Sequence, residues 1–301
     1  MAELGPVLEV LLGGLMSGVL YSLVALGFVL IFKASGVFNF AQGAMVLFAA
    51  LSLVRLSEWL PFPVAIALTI AIMIALAWAV ERLVLRPLVG QHGLILFMAT
   101  IGVTFFLDGF GQTIWGSNVY QLDLGISASP WFLFENLFPG GILVSPVDVF
   151  AAAVAGSLVL ALSIFFHSTK IGRALRAVAD DHQAAQSVGI PLNQIWLVVW
   201  STAGVVALVA GMAWGSKLGV QFSLSFVALK ALPVLILGGL TSIPGAILGG
   251  LIVGAGEKLA EFYIGPAIGG GIEYWFAYVL ALAVLLVRPQ GLFGEKIIER
   301  V

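Results

Sequence analysis

Apolar runs long enough to cross a lipid bilayer recur along almost the whole chain, and no other feature limits its fold so strongly. A spanning helix needs roughly 20 mostly apolar residues, because each residue advances about 1.5 Å through a hydrocarbon core about 30 Å thick. Such runs fall near 7–32, 37–57, 62–81, 94–115, 147–166, 194–216, 223–240, 243–261 and 272–288. The 243–261 run is rich in glycine and marginal as a span, so the sequence predicts eight or nine spans. In hydrocarbon a backbone must satisfy its own polar groups, and runs of this length do so as helices. The expected fold class is all-α, a polytopic helical bundle forming one transmembrane domain over 1–301.

Composition removes the alternatives. Of 301 residues, 61% are apolar and 9% charged, whereas a soluble domain carries about a quarter charged. The formal charge of −2 offers no basic stripe for nucleic acid. Without cysteine there is no disulfide, thiolate metal site or thiol nucleophile. His92, His167 and His182 lack metal-ligand spacing, so no metal site is expected. Neither a GxSxG elbow nor an HExxH pair is present, leaving hydrolase chemistry without a motif. The opening MAELGPVLEV has neither the basic start nor the cleavage site of a signal peptide, so the first span is expected to be retained.

Basic residues in short loops favour the cytoplasm. Placing the 167–193 loop inside gathers Lys33, Arg82, Arg86, Lys170, Arg173, Arg176, Arg288, Lys296 and Arg300 there, against Arg55, Lys217 and Lys258 outside. With nine spans the N-terminus is then outside and the C-terminus cytoplasmic. The long outer segment 116–146 carries Trp131, Phe132, Phe134 and Phe138, which suit either an interfacial anchor or a partner-docking surface. Spans one to four and six to nine have opposite orientations in this count, which permits an inverted repeat. GVFNFAQGAMVL (36–47) and GVQFSLSFVALK (219–230) share little beyond a leading Gly-Val and scattered aromatics.

Within KASGVFNFAQGA (33–44), two amides and two glycines interrupt the apolar pattern. Non-helical backbone at such depth is tolerated against protein or along a water-filled route. Asn39 and Gln42, with Phe38 and Phe40, fit a solute path, as do the hydroxyls of Tyr21, Thr241 and Ser242; capping or inter-helix hydrogen bonding accounts for the amides equally well. Gly14-x-x-x-Gly18, Gly245-x-x-x-Gly249 and Gly250-x-x-x-Gly254 are spaced for close helix packing. Asp108 and Lys230 fall inside spans, where ionisable groups pair, line a cavity or couple ions. Glu257 and Lys258 are expected at the outer boundary.

The loop KIGRALRAVADDHQAAQSVGIP (170–191) is amphipathic. Leu175, Val178, Ala179, His182, Ala185 and Val188 share one helical face, and Arg173, Arg176, Asp180, Gln183 and Ser187 form a polar stripe, until Gly189 and Pro191 stop the helix. Such a helix suits a lipid surface, its own domain or a partner's groove. A phosphate-binding Walker A loop needs glycine immediately before its lysine. Phe32, Thr169, Ser216, Leu229, Glu257 and Glu295 precede the six lysines, so this chain carries no such ATP site.

Gln183-Ala184-Ala185-Gln186-Ser187-Val188-Gly189 resembles the EAA-x-x-x-G coupling loop of ABC importer permeases, with Gln replacing the acidic residue and without the later Leu-Pro. GVFNFAQGAMVLFAA after the first span, LGGLTSIPGAILGGLIVG near 237–254 and RPQGLFG at 288–294 extend the likeness. In order and spacing the chain resembles the LivH-type permeases of branched-chain amino acid ABC importers from about residue 12 to 295. The resemblance implies a bacterial inner-membrane subunit that moves a small solute by alternating access. It further implies a LivM-like second permease subunit, two ATP-binding subunits holding ATP and Mg, and a periplasmic substrate-binding protein. By the same resemblance the 167–193 loop is a coupling helix, with Arg173, Arg176, Asp180, Asp181, Ala184, Ala185 and Gly189 as its contact residues. Branched-chain or other hydrophobic amino acids are the expected substrates. Urea, amides and aromatic acids are alternatives within the family, and an ion-coupled transporter or channel is the alternative outside it.

Overall fold

The computed structural model describes residues 4–294 except 89, 128, 139 and 181. Eleven α-helices occur among these residues: α1 Leu4–Ser35, α2 Gln42–Ser57, α3 Phe62–Val80, α4 Gly93–Trp115, α5 Pro146–Ser168, α6 Lys170–Asp180, α7 His182–Ser187, α8 Leu192–Leu218, α9 Val227–Gly238, α10 Ile243–Ile268 and α11 Phe276–Val287. A two-stranded antiparallel hairpin, β1 Trp131–Leu133 and β2 Ile142–Val144, lies in the 116–146 segment, and Tyr120 and Val220 form an isolated antiparallel bridge. Six helices are long and apolar enough to cross a membrane: α1, α3 with its continuation to Leu88, α4, α5, α8 and α10. Gln42–Ser57, Phe222–Gly238 and Phe276–Val287 are shorter apolar helices. Each expected run is therefore mainly helical, with 37–41 and 239–240 lying outside the helices, and the chain is a polytopic all-α membrane protein. The run at 243–261, expected to be marginal, belongs to one of the six long helices and continues to Ile268.

The chain divides into two compact units: unit 1 is Met1–Ala25, Asp123–Ser157 and Leu229–Val301, and unit 2 is Leu26–Leu122 and Leu158–Ala228. In unit 1 the start of α1 runs antiparallel to α10. A Cβ on Gly14 would stand 2.7 Å from the Gly254 carbonyl oxygen, and one on Gly18 would stand 2.6 Å from that of Gly250. The small-residue spacing thus brings two backbones into contact, as close helix pairs in membranes require. Ser22 Oγ adds hydrogen bonds to the carbonyls of Gly18 (2.8 Å) and Ile247 (3.0 Å).

The two outlying family motifs meet in the same unit. Leu292 and Phe293 of RPQGLFG donate their N–H groups to the carbonyls of Leu237 and Gly238, at 2.8 and 3.1 Å. These are C-terminal carbonyls of α9, which have no intrahelical partner of their own. Farther along, Glu261 accepts the N–H groups of Gly271 (3.1 Å), Ile272 (2.6 Å) and Glu273 (3.3 Å), and Lys258 pairs with Glu273 at 2.7 Å. Those bonds explain how α10 extends past a cluster of charges.

Unit 2 is built around α2, which is buried on every side from Gln42 to Val54. A short helix apolar all round belongs inside a bundle rather than on its surface. Gly211 of α8 makes room for α2, where a Cβ would stand 2.8 Å from the Val46 carbonyl, and Gly204 lies against Met73 of α3. Phe48 of α2 stacks on Phe110 of α4, with ring centroids 6.1 Å apart. Toward the outside α4 presents Phe105 and Phe106, an apolar face suited to lipid. The Gly-Val pairs at 36 and 219 hold equivalent places: each glycine ends a long helix at positive φ, 67° and 75°, and a shorter apolar helix follows. Positive φ is open to glycine at no steric cost, so both helices break cleanly there.

Candidate functional site

The amides at 39 and 42 form a compact cluster in unit 2. Both side chains are fully buried. Asn39 Oδ1 accepts the Ala41 N–H at 3.1 Å, the Asx turn by which asparagine commonly opens a helix. Asn39 Nδ2 donates to Gln42 Oε1 at 3.4 Å and faces Met45 Sδ at 3.8 Å. Gln42 Nε2 has no hydrogen-bond partner among the described residues and lies against Gly27, where a side chain would collide with it. Phe38 stacks on Phe28 with centroids 5.0 Å apart, and Phe40 sets its ring edge-to-face with Phe97 at 5.9 Å. Thr100 ties this irregular stretch to α4: its Oγ1 accepts the Phe40 N–H at 3.1 Å and donates to either the Phe38 or the Phe97 carbonyl. Asn39 therefore shapes the turn that leads into α2, whose N-cap position is Ala41, whereas Gln42 keeps its buried Nε2 without a partner among the described residues. Thr100 and Gly27 carry no sequence signal that marks them as part of this cluster.

A second cluster lies in unit 1. Tyr21 Oη donates to Glu257 Oε1 at 2.6 Å, and Glu257 is only 1% exposed. This corrects the expected outer-boundary position of Glu257. Tyr21 continues the Gly14, Gly18 stripe of α1, and Glu257 continues the Gly250, Gly254 stripe of α10, each three residues beyond the second glycine. Helical side chains lean toward their own N-termini, so on antiparallel helices Tyr21 and Glu257 lean toward one another. Lys230 Nζ donates to Tyr21 Oη at 3.5 Å, and its ammonium lies 5.8 Å from the Tyr21 ring centroid and 5.7 Å from that of Tyr274. The stripe spacing was the available signal for Glu257; Tyr274, in a turn beyond α10, had none.

The remaining candidates are spread through the molecule. Ser242 N-caps α10, its Oγ accepting the Gly245 N–H at 3.0 Å, and neighbouring Thr241 is half-buried. Asp108 lies in α4, and its Oδ1 is buried with no hydrogen-bond partner among the described residues. The expected amphipathic segment is helical on both sides of Asp181, as α6 and α7. Leu175, Val178 and Ala185 are buried as the periodicity required, but Val188 is 75% exposed. Arg176 donates to the carbonyls of Phe166 (2.7 Å) and His167 (3.3 Å), closing the C-terminus of α5. Arg173, Asp180, Ala184 and Gly189 are exposed, Gly189 at φ 87°, while Asp181 lies outside the described residues. Among the described residues no group of three or more His, Cys, Asp or Glu side chains is placed to hold a metal ion.

Similarity to known proteins extends over nearly the whole chain. Residues 10–288 match the family described as "Branched-chain amino acid transport system / permease component". The chain is 29% identical to the high-affinity branched-chain amino acid transport system permease protein BraD of Pseudomonas aeruginosa, covering all of both chains. It is also 29% identical to LivH of Escherichia coli K12, over 98% of this chain and 97% of that one. A probable LivH of Methanocaldococcus jannaschii matches at 29% identity over 95% of this chain and 92% of its own. With a match that takes in the amide cluster, the helical loop and both glycine-rich stripes, the chain belongs to the family of permease components of branched-chain amino acid transport systems.

Proposed function

We propose that this chain is one membrane-path subunit of an ABC importer for branched-chain or other hydrophobic amino acids. The observation that carries the reading is the family match over residues 10–288, supported by relatives covered end to end. The chain works as a single permease domain over 1–301 in the inner membrane, with its N-terminus outside and C-terminus cytoplasmic. A LivM-like permease subunit completes the path, and a periplasmic substrate-binding protein delivers solute through the 116–146 side. ATP and Mg belong to two separate ATP-binding subunits, which agrees with the missing Gly-Lys pair in this sequence.

Coupling falls to α6 and α7. Buried Leu175, Val178 and Ala185 seat them, and Arg176 fixes α6 to the end of α5. Arg173, Asp180, Ala184 and Val188 are left exposed for an ATPase groove. A partner shifts an inward–outward equilibrium only by its differential affinity for the two states, and this surface supplies the contact. For the path, Gln42 contributes the unspent buried amide, with Phe38 and Phe40 beside it.

The test is receptor-stimulated ATP hydrolysis by the purified complex, with the binding protein loaded in turn with leucine, isoleucine, valine, phenylalanine or urea. Stimulation by the hydrophobic amino acids is expected, and Gly189→Pro should abolish it, because Pro fixes φ near −65° where this backbone needs 87°. Stimulation by urea alone moves the substrate to the amide branch of the family. Uptake by this chain alone, driven by an ion gradient, overturns the importer reading.

A further inference from the structure

Lys230 is the sole charge in VALKALPVLILG, the sequence of α9. A lysine in an apolar membrane segment is retained for a purpose, since its desolvation is costly. Here the ammonium lies at the hydroxyl end of Tyr21, 3.5 Å from Oη and 5.8 Å from the ring centroid, and 5.7 Å from the ring centroid of Tyr274. Ring faces stabilise a cation without consuming its hydrogen-bond donors. An ammonium has three donors, and the described residues take up one of them, Tyr21 Oη at 3.5 Å, the long limit for such a bond. The nearby carboxyl does not use them: Glu257 Oε1 is bound to the Tyr21 hydroxyl at 2.6 Å and buried. Lys230 itself is only half-buried.

We infer that Lys230 binds the carboxylate of the transported solute. Tyr21, through its hydroxyl, and Tyr274, through its ring, are positioning residues for the lysine, and Glu257 fixes the Tyr21 hydroxyl. The inference rests on the importer reading above and narrows it. A cationic anchor favours solutes bearing a carboxylate, such as α-amino acids, over neutral urea or amides. A charge-assisted hydrogen bond also discriminates more strongly than a neutral one.

The experiment reconstitutes the complete importer in proteoliposomes and follows receptor-dependent uptake of radiolabelled L-leucine. Lys230→Met is expected to lower the maximal uptake rate about tenfold or more, the usual scale for losing a hydrogen bond to a charged group. The amount of assembled complex and its thermal midpoint should stay unchanged, and Lys230→Arg should recover most of the rate. Uptake by Lys230→Met at the unsubstituted rate overturns the inference. Equal losses in the Met and Arg variants, accompanied by a lowered midpoint, also overturn it by making the lysine structural. Should Lys230→Met fail to assemble, Lys230→Gln is judged by the same readouts. Absence of ATP-driven uptake by the unsubstituted complex counts against the importer reading, separately from the role of Lys230.

Discussion

In unit 2 the hydrogen bonds of the Asn39 side chain reach residues no more than six positions away, whereas in unit 1 Tyr21 and Glu257 meet across 236 positions. The difference separates two uses of polarity inside a membrane protein. A short polar side chain bonded to its own neighbourhood shapes backbone, offering the chain an alternative to continuing a helix. A polar pair assembled from distant helices shapes nothing locally, and burying it is unfavourable until the helices have packed. On this distinction the amide cluster is mainly a turn, with Gln42 Nε2 as its uncommitted atom. The Tyr21, Lys230 and Glu257 cluster is the part proposed to hold the solute's carboxylate.

The comparison breaks most severely where α1 and α10 touch. Leucine at Gly254 would place Cβ 2.5 Å from Gly18 Cα, backbone that cannot move aside. Gly254→Leu should destabilise unit 1 by about 3 kcal/mol or more and remove assembled complex from the membrane, measured by co-purification with the ATP-binding subunits. Tyr21→Phe comes next. It leaves Glu257 Oε1 without its 2.6 Å donor, for a loss of about 1–2 kcal/mol in thermal unfolding, and leucine uptake should fall by a smaller factor than in Lys230→Met. Uptake unaffected by Tyr21→Phe would show that the long-range cluster is packing alone.

The smallest effects belong to the amides. Asn39→Ala removes the acceptor for the Ala41 N–H and should lower stability by about 1 kcal/mol, while Asn39→Asp keeps it and should restore most of that. In both variants uptake should stay within about twofold, since a 1 kcal/mol change leaves a stable complex folded. Gln42→Leu discards an Nε2 without a partner among the described residues but also the Oε1 that accepts from Asn39 Nδ2 over a long 3.4 Å, so it should lower stability by about 1 kcal/mol at most. Loss of transport in Gln42→Leu with the unfolding midpoint preserved would assign that amide to the path; loss in folded Asn39→Ala would dissolve the contrast between the clusters.

Span positions, the glycine contacts and the family were legible because they rest on periodicity and spacing, which survive without coordinates. Tyr21 and Lys230 stood out singly, as a hydroxyl and a charge in apolar runs. Their partnership with Glu257 was hidden because the span was ended at 261, among charges that look like a boundary. In the structure those charges are occupied: Glu261 holds the turn after α10, Lys258 pairs with Glu273, and the helix runs on to Ile268. Arg176 was hidden for a similar reason: the carbonyls it closes belong to α5, which no helical pattern within 170–191 reveals. Val188 falls off the apolar face because α7 ends at Ser187 and the chain turns there toward Gly189.

Pro233 lies within α9 and cannot donate to the carbonyl of Leu229, one turn earlier; the Tyr278 hydroxyl of α11 donates to that oxygen at 2.9 Å instead. Inheritance at these two positions is consequently coupled. A phenylalanine at 278 exposes an orphaned acceptor only while residue 233 remains a proline, and with alanine at 233 the helix can close its own bond. The order in which the two substitutions arise therefore decides whether an evolving lineage passes through a damaged intermediate.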